Sequence, residues 1–179
     1  MRVSADGWRR WRWILAAVLA VPLLAAPASG EQGSRAEPEL RVGNEAIPAA
    51  RAAIDAAETS LAAVLYKFDE PSLLASVERA LSRGVRVRIL ADGAQAKRKR
   101  SLVGLAERAG ADVRLWRPKL GKLHAKLMVI DERRAIAGSF NWTRSAARSN
   151  VELLLDFQEP DTVKRLSGVF EALWDRADR

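Results

Sequence analysis

Between Asp69 and Leu90 the chain switches from helical to strand periodicity across a single glycine, and that switch constrains its fold more than any other feature. Asp69-Glu70-Pro71 has the acidic and proline character of a helix start, and Leu73, Leu74, Val77, Ala80 and Leu81 then recur at helical spacing. Gly84 stops the run, and Val85-Arg86-Val87-Arg88-Ile89-Leu90 follows with the alternation of a strand. The apolar segment Leu61–Tyr66 reads as a buried strand ahead of the helix. Strand, helix, glycine turn and strand make a crossover unit with parallel strands. The prediction is one α/β domain, a mixed but mostly parallel sheet flanked by helices on both faces.

The rest of the chain extends this reading. Helices are expected over Ile47–Ala57, with Pro48 in the first turn, and over Ser101–Ala109, ended by Gly110. A last helix starts at Glu159-Pro160-Asp161, where Val163, Leu166, Phe170, Leu173 and Trp174 form one apolar stripe. Strands are expected over Val113–Trp116, Leu123–Ile130, Arg134–Ala137 and Val151–Phe157, with Trp116 in the core. A chain of 179 residues has room for one good core, and half of its residues are apolar. Cysteine is absent, which excludes disulfides and thiolate metal sites.

Residues 1–28 differ in character. A basic, tryptophan-rich start leads into the apolar run Ile14–Ala26, and Ala26-Pro27-Ala28 offers small residues where a signal peptidase reads. The expectation is a signal peptide cleaved after Ala28, a linker over 29–39 and a folded domain over 40–179. That places the protein in the periplasm or outside the cell, or on the membrane if the segment is retained as an anchor. Without residues 1–28 the chain carries 26 basic against 21 acidic residues, a net charge of +5, which suits a polyanionic partner.

Chemistry concentrates between His124 and Asn141. His124 is the single histidine of the chain, and Lys126 lies two residues on, so on a strand both project from one face. A lysine there favours the neutral, nucleophilic imidazole and attracts a phosphate oxygen. Asp131 falls out of strand parity with both and is expected to support a loop. Gly138, Ser139 and Asn141 supply close backbone approach, a hydroxyl and a carboxamide, all suited to non-bridging phosphate oxygens. Glu152, in an apolar strand, needs a partner: the His124 imidazole, or an arginine such as Arg144 or Arg148. The basic run Lys97-Arg98-Lys99-Arg100 and the indole of Trp142 are candidate nucleic-acid contacts.

The spacing H-x-K-x4-D-x6-G-S-x-N, complete in His124, Lys126, Asp131, Gly138, Ser139 and Asn141, resembles the signature of the phospholipase D superfamily. From about Leu40 to Trp174 the order of elements is similar to its small single-motif bacterial endonucleases. The resemblance implies the phospholipase D-like fold, His124 as nucleophile forming a phosphohistidine, and Lys126 and Asn141 holding phosphate with help from Ser139. It implies that Glu152 orients the histidine, with Asp131 in a less direct catalytic role. It implies no metal and no cofactor. That chemistry uses two histidines, so a chain with one is expected to form a two-fold homodimer with facing motifs. The expected activity is sequence-nonspecific cleavage of DNA or RNA. The rivals are a phospholipase acting on anionic phospholipid and a silent nucleic-acid-binding module.

Overall fold

The computed structural model describes residues 37–117 and 121–177, all within one compact unit. The expected signal segment and the linker up to residue 36 lie outside the described residues. In chain order the elements are β1 (Glu39–Val42), α1 (Ala46–Asp55), β2 (Ser60–Leu65), α2 (Pro71–Ser82), β3 (Arg86–Asp92), the short α3 (Gly93–Ala96) and α4 (Val103–Arg108). They continue with β4 (Asp112–Trp116), β5 (Leu127–Ile130), β6 (Arg134–Gly138), the short α5 (Arg144–Arg148), β7 (Leu153–Phe157) and α6 (Pro160–Trp174).

The crossover unit is present as β2, α2 and β3. Pro71 occupies the first turn of α2, and the Glu70 carboxylate accepts from the Ser72 backbone N–H at 3.0 Å and from its hydroxyl at 2.7 Å. A buried acidic cap of this kind meets the unpaired amides of the helix start and complements its dipole. Gly84 follows at φ +85°, the left-handed conformation that ends a helix at low cost for glycine.

The seven strands form one sheet in the order β1-β7-β6-β5-β2-β3-β4. It is mixed, as expected, but it is not mostly parallel. Only β2–β3 and β3–β4 pair in parallel, and the other four pairings are antiparallel. The reason is local: no crossover helix stands between β5 and β6, which form a hairpin. Asp131 and Glu132 sit at its turn with φ of +53° and +56°, and the Arg133 N–H donates to the Ile130 carbonyl at 3.0 Å. Two consecutive positive φ values suit the right-handed twist of a hairpin. β1 falls partly in the expected linker; four residues with little burial leave no periodic signal.

Each face of the sheet carries its own core. Leu61, Ala63, Ile89, Met128 and Ile136 pack with α1, α2 and α4, whereas Val64, Leu90 and Val129 pack on the other side against Val163, Phe170 and Trp174 of α6. Helices therefore cover both faces. Full burial of Phe170 alone contributes about 1.5–3 kcal/mol. Arg88 fastens α6 further, bonding both Glu171 oxygens at 2.9 and 2.6 Å while its guanidinium lies 4.8 Å from the Phe170 ring.

Asp131 closes the sheet at the end of β5. Its carboxylate accepts the backbone N–H groups of Glu58, Thr59 and Ser60 at 2.9, 2.7 and 2.8 Å, and the Thr59 hydroxyl at 2.9 Å. Burial pushes its pKa up, but these donors outweigh burial and hold it below its ordinary value of 3.8. Asp131→Ala is expected to cost about 1–2 kcal/mol at neutral pH, since three backbone amides lose a charged acceptor. The native contribution is complete above the ordinary carboxylate range and disappears as pH falls through the lowered folded value. Thermal melts of the two chains should therefore converge at acid pH, and a pH-independent gap would contradict this account.

Candidate active site

The site lies where the carboxyl ends of β2 and β3 meet the start of β5. Because β5 runs antiparallel to β2, with Val64 opposite Leu127, continuing that register sets Tyr66 opposite Ala125, between His124 and Lys126. The expected strand over Leu123–Ile130 forms only from Leu127, so His124 and Lys126 precede it on irregular backbone. What fixes that backbone is Asp92, a lone carboxylate at the end of β3 that no motif marks. Its buried carboxylate accepts the Leu123 N–H at 3.1 Å through one oxygen and the Ala94 and Gln95 N–H groups at 3.1 and 3.0 Å through the other.

His124 is exposed and Lys126 is buried beneath it. The ammonium donates to the His124 carbonyl at 2.6 Å and lies 3.1 Å from Nδ1 of the same residue. It lies 3.4 Å from Nε2 as well, so the ammonium sits over the imidazole face and leaves the in-plane positions of both ring nitrogens open. Burial lowers the pKa of Lys126; Glu152 opposes this, and Lys67 adds to it. Such a lysine is poorly paired until an anion arrives.

Tyr66 organises these groups. Its ring centroid is 4.6 Å from that of His124, with Nζ of Lys126 at 5.4 Å and Nζ of Lys67 at 5.6 Å. The phenol oxygen accepts from Gln95 Nε2 at 3.2 Å. An aromatic face suits both cations and gives the imidazole a wall to rest on. The position of Tyr66 at the end of the apolar run into β2 was the available signal.

The rest of the motif divides between ligand-facing and structural work. Gly138 serves sheet packing, because a Cβ there would lie 2.1 Å from the Leu153 carbonyl oxygen of β7. The Ser139 hydroxyl donates to Glu152 at 2.5 Å and accepts the Leu153 N–H at 3.1 Å, so it braces β7 and is not free for phosphate. Glu152 does not reach His124; its other oxygen accepts Asn150 Nδ2 at 2.9 Å, and neither Arg144 nor Arg148 pairs with it. Asp131, at the far end of β5, joins none of these groups. Asn141 differs: among the described residues its carboxamide makes no hydrogen bond, and its oxygen is buried. Trp142 is no nucleic-acid contact, being 1% exposed and packed edge-on against Phe68 at 5.0 Å. Lys97 to Arg100 are exposed, whereas Trp116 lies in the core as expected.

The family profile described as cardiolipin synthase, PLD-like domain, matches residues 50–174. The chain belongs to the phospholipase D superfamily. It is 33% identical to the mitochondrial cardiolipin hydrolase of Canis lupus familiaris over 86% of this chain and 61% of the relative, and 35% identical to that of Mus musculus over 70% and 57%. This chain thus matches under two thirds of those relatives' length. Nuc, a phospholipase D family member from Salmonella typhimurium, superposes with a TM-score of 0.72 at 25% identity, covering 79% of this chain and 97% of Nuc. NucT from Helicobacter pylori superposes at 0.71 with 21% identity over 79% and 99%, sharing the fold.

Tyr66→Leu should lower kcat on a phosphodiester by about 10- to 100-fold, as expected for a displaced reacting group, with a smaller change in KM. Tyr66→Phe, which keeps the ring, should stay within a few fold of native. Equal losses in both variants would point to the hydroxyl and refute the ring's role.

Proposed function

We propose that the chain is a metal-independent phosphodiesterase that hydrolyses nucleic acid through a phosphohistidine on His124, in a site completed by a second copy. The observation that carries this reading is the pairing of His124 with Lys126 at the sheet end to which Asn141, with its unspent carboxamide, is brought by the bond from the Trp142 N–H to the Lys67 carbonyl. Lys126 exchanges its resting bond to His124 for a non-bridging phosphate oxygen, and Asn141 holds another. A ring nitrogen of His124 attacks phosphorus, the P–O bond to the leaving oxygen breaks, and the protonated His124 of the second copy gives that oxygen its proton. Water then attacks the phosphohistidine, passing its proton to the second imidazole as the P–N bond breaks. The nucleophile is a side chain, so the first displacement requires no metal-activated water.

A second copy is supported by the single imidazole and by the site's rim. Val151 is 86% exposed next to Glu152, and Leu153 and Val42 pair on β7 and β1 with 48% and 44% exposed. This apolar ledge lies at the same sheet edge as Ser139, where a two-fold partner facing the motif would cover it. The N-terminal segment would export the protein.

Cleavage of anionic phospholipid is the second reading, favoured by the likeness to the mammalian cardiolipin hydrolases. The exposed His124 and the cations around Tyr66 suit a polyanionic strand better. Assays on plasmid DNA, single-stranded RNA and cardiolipin vesicles separate the two. His124→Ala should abolish cleavage while leaving DNA binding largely intact, and native activity should persist in excess chelator. Cleavage surviving the substitution would remove the central claim.

Val151→Asp combined with Leu153→Asp should shift the protein to monomer in sedimentation and lower activity at least 100-fold. A fully active monomer would refute the shared site.

A further inference from the structure

The run Lys97 to Arg100 does not stand alone on the surface. It separates two adjoining hollows of about 360 and 620 Å³, which share Asp69, Lys99, Arg100 and Ser101 as lining. Lys67 and Arg98 line the first, Arg108 and Arg144 the second. Three separate parts of the chain thus bring six cations to one continuous groove: the end of β2, the segment from α3 through α4, and the start of α5.

None of these six side chains makes an ion pair with the described residues. The one carboxylate in the lining, Asp69, is engaged by the Arg144 backbone N–H at 2.9 Å. Surface cations ordinarily sit among carboxylates, and six against one is a concentrated positive field. The groove is also joined to the reacting groups. Lys67 lines its inner end and stands over the ring of Tyr66, on which His124 rests.

We propose that this groove is a track for the sugar-phosphate backbone of a polynucleotide, leading a strand past Lys67 to His124. The inference rests on the nucleic-acid reading above and specifies how that substrate is held. Phe68, the one aromatic residue lining either hollow, is buried, so the groove itself offers no ring to stack on bases. Recognition is therefore through phosphates, independent of sequence and graded by strand length. Neutralising roughly four phosphates gives a salt slope of about −3 for a single strand.

The test uses the full chain carrying His124→Ala and a fluorescent oligothymidylate, with binding followed by anisotropy across a salt series. Lys99→Glu with Arg100→Glu should weaken binding of a long strand about 100-fold and flatten the salt slope by about 2. The glutamine pair at the same positions should fall between. In the active chain, the charge reversal should lower the ratio of kcat/KM on a long strand to that on a dinucleotide. Native cleavage of DNA with unchanged length dependence in the charge-reversed chain overturns the track and leaves the nuclease reading standing. Groove-dependent binding without any cleavage by the native chain does the reverse. Loss of cardiolipin-vesicle binding by the reversal, with oligonucleotide binding unaffected, would assign the groove to a membrane and overturn the proposal.

Discussion

The hydrogen bonding of β2 to unlike neighbours is the constraint on which the rest depends. β2 runs parallel to β3 and antiparallel to β5, so the carboxyl ends of two parallel strands and the amino end of a third share one edge. Ligand sites in α/β sheets form beyond the carboxyl ends of strands where the topology changes direction, and here the change falls at β2 itself. Tyr66 leaves β2 at that edge, Asp92 ends β3, and Leu123, which donates to Asp92, leads into His124. Had β5 been a third parallel strand, the reacting pair would sit at the opposite end of the sheet from Tyr66.

Half of the motif that looks like a set of ligands to one phosphate is a set of fastenings. Asp131 ties the β5 turn to the start of β2, Gly138 lets β6 approach β7, and Ser139 with Glu152 clamps the first residue of β7. What remains unspent is small: an imidazole, a lysine whose charge is disfavoured by burial, and a carboxamide with no partner. A buried polar atom without a hydrogen bond costs on the order of 1–3 kcal/mol. The fold tolerates that cost at Asn141 Oδ1, while the Nδ2 hydrogens of the same carboxamide remain free to donate to a phosphate oxygen.

Much of the fold was legible because its signals are periodic. The switch at Gly84 gave β2, α2 and β3, and the stripe of α6 placed Phe170 and Trp174 in the core. Sheet direction was not legible, since pairing across β5 and β6 depends on a turn whose left-handed residues are Asp and Glu, without the glycine that usually marks it. The motif located His124, Lys126 and Asn141, but residue types alone could not separate a serine that binds phosphate from one that binds a neighbouring strand. Trp142 carries the same lesson: adjacency to Asn141 suggested a ligand contact, whereas the bridge between Phe68 and Trp142 turns the indole inward.

The fastenings also bear on how His124 is held. Glu152 is occupied by Ser139 and Asn150, so among the described residues no carboxylate holds His124; its contacts there are the Tyr66 ring and Lys126. A histidine held that way is positioned by a ring face and a carbonyl-bound ammonium and stays open on its exposed side. Under the proposed two-histidine reaction, the acid from a second copy would approach from that side. The apolar ledge of Val151 and Leu153 lies at the same end of the sheet as His124, so in the proposed dimer covering the ledge and supplying the acid would be one event.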